Sequence, residues 1–254
     1  MSATFSPGTF SPAPKRASAG AIIFAQGGME AKLMLRHGEQ QLLSIIIPLA
    51  ILIGTARLES STGHGLHEVF PMVLAVAATS AGFTGQAISL AFDRRYGALK
   101  RTGASGVPAW AIIGGKIIGV LTMVVFQILV LGATAFALGL RISAPGILLM
   151  IVSLMFGVAA FTAMGLVLGG TLSSEAVLAL ANLIWFILLA IVGWALYSQG
   201  LGDNGLLNIV PTVALAGALA DASHSTFPGI ELISLTAWLA VASYAAVRWF
   251  RFDG

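Results

Sequence analysis

Five charges fall within nine consecutive residues, DRRYGALKR, at Asp93, Arg94, Arg95, Lys100 and Arg101. Only 9% of the 254 residues are charged, and long apolar runs lie on both sides of this stretch. Clustered cations can form charge-assisted hydrogen bonds with carboxylates, and beside an apolar run they can also bind anionic headgroups and fix topology. Gly97, Leu99 and Pro108 stand in and beyond the cluster at spacings that topology alone does not require.

Other chemistries lack their parts. Ion-coupled transport needs a carboxylate deep in the bilayer. The ten acids, Glu30, Glu39, Glu59, Glu68, Asp93, Glu175, Asp203, Asp221, Glu231 and Asp253, all map to a loop, a tail or a span end. The tripeptide GGK at 114–116 resembles the end of a phosphate-binding loop. The glycine and hydroxyl residue that such a loop requires are replaced by Trp110 and Ile117, so Lys116 is expected to reach toward the membrane surface instead. His64 and His67, in HGLHE, have a metal-like spacing but no third strong ligand, and His37 and His224 stand alone. With no cysteine there is no thiolate chemistry, and no nucleophile–base pair is evident.

Amides inside apolar runs are the remaining candidates, because they are costly in lipid unless they bond another helix or face a cavity. They are Gln86, Gln127 and Asn182. Trp185 and Phe186 follow Asn182 at helical spacing. One face would then combine an amide with two aromatics, lining a route for amphiphilic cargo, a subunit contact or ordinary packing.

The elements that must position these residues are membrane helices. Hydrophobic residues make up 57% of the chain, and several runs approach or exceed the ~20 residues that cross a bilayer core. The alternation of a barrel strand is absent, so the expected class is an all-α polytopic membrane protein. Six spans are expected, near 41–57 (with Pro48), 69–92, 113–140, 146–172, 176–197 and 230–250. With the N-terminus inside, eleven Lys and Arg residues fall on the cytoplasmic side, and only Arg57 and Arg141 fall opposite. Both termini are then cytoplasmic, and the basic residues mark topology rather than nucleic-acid binding.

Three stretches are read differently. Residues 1–20, rich in Pro, Ser, Ala and Gly, read as a flexible tail without a signal-peptide core. Ala21–Arg36 aligns Ile22, Ala25, Met29 and Leu33 opposite Gln26 and Glu30, the pattern of an amphipathic helix in the interface. Leu206–Ala220, broken by Pro211, is too short to cross and suits a helix that enters the outer leaflet and returns. Gly114, Gly115, Gly119, Gly157, Gly165 and Gly169 permit close helix packing.

FDRRYGALKRTGASGVPAWAIIGGK resembles the cytoplasmic loop of ABC-2-type permeases, the membrane subunits of a class of ATP-driven exporters. Asp93, Arg94, Gly97, Leu99, Lys100, Arg101, Pro108, Gly115 and Lys116 fit that pattern, while Thr102 replaces a frequent leucine. The resemblance extends over most of the chain. Residues 21–40 are similar to the family's connecting helix, residues 41–254 to its six-helix domain, and the interruption before the last span to its re-entrant helices.

This resemblance implies a separate ATPase, present in two copies and carrying the ATP and magnesium, together with a second permease copy or close homologue. The chain itself would be no enzyme and would hold no cofactor or metal. The loop would carry a coupling helix seated on the ATPase, with Asp93, Arg94, Arg95, Tyr96, Gly97, Leu99, Lys100 and Arg101 at the contact. Tyr96 and Leu99 would give an apolar pair, the cations would engage carboxylates, and Gly103, Gly106 and Pro108 would end the helix. Cargo would be amphiphilic, such as a drug, a lipid or a lipid-linked glycan, with the compact loops resembling the drug-export branch. Gln86, Asn182, Trp185 and Phe186 would line its route or the subunit interface. Two rivals are a membrane scaffold, such as a haem-handling permease-like protein, and a secondary transporter.

Overall fold

The computed structural model describes residues 17–36, 38–62, 65–202 and 205–249. Among these, the chain forms helices α1 (Ala19–Arg36), α2 (Gly38–Thr62), α3 (Leu66–Thr79), α4 (Gln86–Arg95), α5 (Ala98–Ala104), α6 (Ala109–Ala137), α7 (Ala144–Thr171), α8 (Ser174–Gln199), α9 (Pro211–Ser223) and α10 (Gly229–Trp249). A π-helical turn, Ser80–Gly85, joins α3 to α4 without a break, and a 3-10 turn, Gly205–Ile209, precedes α9. No strand occurs among the described residues.

Local signals account for the helix ends. Ser143 caps α7, its hydroxyl accepting from the Gly146 N–H at 3.1 Å, and Pro145 occupies the first turn, where its missing N–H costs nothing. Ser173 likewise receives the Ala176 N–H at 3.4 Å to start α8. Between α4 and α5, Gly97 adopts φ +68°, a left-handed conformation that ends one helix and re-aims the next.

Five helices are long and apolar enough to cross a membrane: Leu66–Arg95, Trp110–Ala137, Ala144–Thr171, Ser174–Gln199 and Gly229–Trp249. Each contains most of one expected span, usually with a few residues added at the ends, because helical hydrogen bonding continues past the apolar core. The apolar part of α2, Ser44–Arg57, is shorter. The structure is thus a multi-pass helical membrane protein. Leu66–Arg95 is the most enclosed of the five, while α6, α8 and α10 turn Leu129, Phe186 and Val247 outward. Hydrocarbon accommodates such exposed apolar faces, whereas water would not.

The expected interruption at 206–220 forms the 3-10 turn and α9. This helix, only about 20 Å long, is buried from Pro211 to Ala220 and packed against α3, α7 and α10. Its run of small residues lets three neighbours approach at once.

α1 differs from the expected amphipathic arrangement in which way it faces. Gln26, Gly27, Glu30 and Met34 are buried on α6, whereas Phe24, Met29 and Leu33 are exposed. The polar edge turns inward because partners wait there. Ile23 approaches Gly114, Gln26 approaches Gly115, and Glu30 approaches Gly119. These pairings rise together along both helices, so α1 and α6 run in the same direction.

Candidate functional site at the basic end of the bundle

Three consecutive side chains at the end of α4 each hold a different part of the protein. Asp93 accepts from Lys116 Nζ of α6 at 2.5 Å, and the same ammonium lies 3.3 and 3.4 Å from the two carboxylate oxygens of Glu30 on α1. Arg94 donates from one guanidinium nitrogen to the carbonyls of Gly169 (2.8 Å) and Leu172 (3.0 Å). These carbonyls lie at the C-terminal end of α7, where the helix dipole favours a cation. Arg95 turns to the start of α8, donating to Ser174 Oγ at 3.0 Å and pairing with Glu175.

Burial separates the three. Arg94 is 6% exposed and Lys116 3%, so their charges depend on the partners just named. The Arg95–Glu175 pair is largely solvent-facing and contributes little to stability. Close backbone approach makes the Arg94 geometry attainable: a Cβ at Gly169 would stand 2.4 Å from the Ala87 carbonyl oxygen. Only glycine lets α7 and α4 meet this closely.

The seven-residue α5 hangs from this junction. Leu99 is buried and packs in a small cluster with Leu90 and Ile112, with Val107 and Leu166 alongside. Tyr96, Lys100 and Arg101 face outward. Arg101 reaches back to the Tyr96 carbonyl at 2.7 Å, bracing the turn around Gly97. Tyr96 lies beside Phe92 at 6.0 Å between ring centroids, with the Arg95 guanidinium over its ring. The residues at 93–101 therefore divide: Asp93, Arg94 and Leu99 bind within the chain, while Tyr96, Lys100 and Arg101 are presented outward. Arg95 does both.

Lys116 departs from expectation. It does not reach for the surface, because Glu30 and Asp93 together neutralise it where it stands. Glu30, at the edge of α1, and Glu231, in the first turn of α10, are acids buried within the protein. Glu231 accepts from Asn208 Nδ2 at 2.9 Å.

The amide–aromatic group on α8 is also divided. Asn182 spends its Nδ2 on the carbonyl of Leu178, one turn back in its own helix. Trp185 is buried and directs its Nε1 toward the Val76 carbonyl at 3.5 Å, whereas Phe186 faces outward, edge-on to Trp185 at 5.0 Å. Positions i+3 and i+4 straddle the boundary of the buried stripe. Gln127 donates to Ser44 Oγ of α2 at 3.3 Å, an interhelical bond. Gln86 is fully enclosed just after the π turn, and its Nε2 has no partner among the described residues.

His224 is not isolated: its ring lies 6.4 Å from that of His67, linking the end of α9 to the start of α3. His37 and His64 lie outside the described residues, as do residues 1–16 of the expected tail. No group of three or more metal-ligating side chains occurs among the described residues.

Two elements of the site leave little trace in the sequence. The π turn, SAGFTG, is marked only by its two glycines, of which Gly82 is placed where a Cβ would meet the Phe161 side chain at 3.0 Å. Glu30 could be noticed only as the polar edge of α1, and nothing local names Lys116 as its partner 86 positions later.

A family model described as ABC-2 type transporter matches residues 27–201. The match begins within α1, takes in the junction and α5, and ends just beyond α8. The comparison with curated proteins returned no match.

Proposed function

The chain belongs to the ABC-2 type transporter family, and on that premise we propose that it is the permease subunit of an ATP-driven exporter of an amphiphilic substrate. Subunits of this family are transport components that work with an ABC ATPase. The carrying observation is the junction at Asp93, Arg94 and Arg95. Three neighbouring side chains grip α6 with α1, then α7, then α8, directly beside a short helix whose Tyr96, Lys100 and Arg101 face outward. A push on α5 therefore reaches four long helices through short, directional contacts.

In this reading α5 is the coupling helix seated on the ATPase. Two permease chains and two ATPases make the working unit, with ATP and magnesium held by the ATPases. The chain crosses the cytoplasmic membrane six times, α2 supplying the first crossing, with both ends inside and the basic end at the ATPase. α1 lies at that interface with Phe24, Met29 and Leu33 toward lipid, and the turn and α9 form a re-entrant excursion on the far side. Drug-like molecules, lipids or lipid-linked glycans suit the apolar helices, and Phe186, outward on α8, lies along the route or the seam between copies.

The test is co-purification from native membranes. Tagged chain extracted in mild detergent brings down an ATP-hydrolysing subunit, and Arg101→Glu weakens that association. Extraction with no ATPase activity, together with transport that persists after ATP depletion, would overturn the reading.

A further inference from the structure

The most enclosed span, Leu66–Arg95, is not one uniform helix. The π-helical turn Ser80–Gly85 divides it into α3 and α4, and the two parts keep different company. α3 packs mainly on α9 and α2, whereas α4 packs mainly on α7 and α8. Only α4 carries the junction residues Asp93, Arg94 and Arg95.

Wide turns of this kind are where long helices bend, and they recur at functional positions. Here the turn is also poorly satisfied. Gln86 follows it directly and is 1% exposed, yet its Nε2 has no acceptor among the described residues. The Thr84 hydroxyl, inside the turn, is likewise enclosed and unpartnered among them. A buried donor without an acceptor costs energy, so this conformation carries a penalty that a rearrangement can relieve. Contact with α7 is smooth at Gly165, where a Cβ would stand 2.7 Å from the Phe83 carbonyl oxygen. Backbone lies against backbone there, with no side chain to interlock.

We propose that the Ser80–Gly85 turn is a hinge, at which α4 tilts against α3 and Gln86 gains its missing acceptor. The junction and α5 move with α4, while α3 stays with α9 and α2. The hinge is a property of this chain alone. Its part in transport, passing a push on α5 into the bundle, rests on the function proposed above.

Hydrogen exchange of the full chain in nanodiscs, read by mass spectrometry, tests the hinge. Amides at 80–86 should exchange at least about tenfold faster than those at 69–79, as expected of a local opening. Gln86→Met should slow that exchange about tenfold, the effect of removing one buried unsatisfied donor, and raise the unfolding temperature. Gly85→Ala, whose Cβ would meet only the Ser80 carbonyl oxygen at 3.4 Å, should slow it as well by favouring regular helix. Uniform protection across 66–95 overturns the hinge, and so does Gln86→Met that leaves exchange unchanged or lowers the unfolding temperature. In the chain bound to its ATPase, ATP with vanadate should alter exchange at 80–86 and leave 69–79 as before. A complex that hydrolyses ATP without that change removes the hinge from transport and leaves the exporter reading standing. Recovery of no ATPase strikes that reading instead, while the measurements on the chain alone still decide the hinge.

Discussion

Lys116 on α6 lies 3.3 Å from Glu30 on α1, with the Asp93 carboxylate on its other side. One ammonium thus bridges two carboxylates drawn from helices remote in the chain. Removing it leaves two acids facing each other in a largely dry site. Lys116→Met should cost about 3–5 kcal/mol, the usual penalty for breaking a buried pair from one side. Adding Glu30→Gln and Asp93→Asn should recover much of that loss. Thermal unfolding in a single detergent, across the single and triple variants, checks both statements.

Arg94 and Arg95 are neighbours with opposite consequences. Arg94 is buried and serves two carbonyls at the end of α7, so Arg94→Met should destabilise by about 2–3 kcal/mol, as expected when charged hydrogen bonds are lost from an enclosed site. Arg95 is half exposed and bonds at the start of α8. Arg95→Ala should cost no more than about 1 kcal/mol. Equal losses in thermal unfolding would contradict the assignment of α7's end to Arg94.

The long helices were legible because an apolar run of sufficient length in lipid has few alternatives to helix. The charged loop was legible too, since five charges stand out in so apolar a chain. What each charge touches was not. Asp93, Arg94 and Arg95 are adjacent, and their divergence follows from helical rotation of about 100° per residue combined with where α6, α7 and α8 happen to pack. The inward polar edge of α1 was hidden for the same reason. An amphipathic pattern gives two faces, but only the glycines of α6 and the charge of Lys116 decide which one is buried. Trp185 and Phe186 show how narrow that boundary is, since one is enclosed and its neighbour faces outward.

Gly169 tests the approach of α7 to α4. A methyl group there would stand 2.4 Å from the Ala87 carbonyl oxygen, with backbone all around it and nothing flexible to yield. Gly169→Ala should cost about 1–3 kcal/mol, in the manner of overpacking, and loosen the Arg94 bonds beside it. Gly193 on α8 is the opposite case, because a Cβ added there would meet no other atom within 4 Å. Gly193→Ala should be neutral or stabilise by up to about 1 kcal/mol through helix propensity. Unfolding temperatures and the monodisperse fraction after extraction report both.

Tyr96 and Leu99 separate stability from association. Their spacing suggests one apolar face, yet Leu99 fills the cluster of Leu90 and Ile112 while Tyr96 faces outward beside Phe92. Leu99→Ala should destabilise by about 2–5 kcal/mol, as core truncations do, and loosen α5 on its support. Tyr96→Ala loses a ring contact worth about 1 kcal/mol and should barely move the unfolding temperature. If α5 seats on an ATPase through its outward face, Tyr96→Ala lowers the ATPase recovered with the chain by about tenfold or more, the effect of losing an aromatic anchor. Recovery unchanged in Tyr96→Ala, with the fold intact, would place the ATPase contact elsewhere.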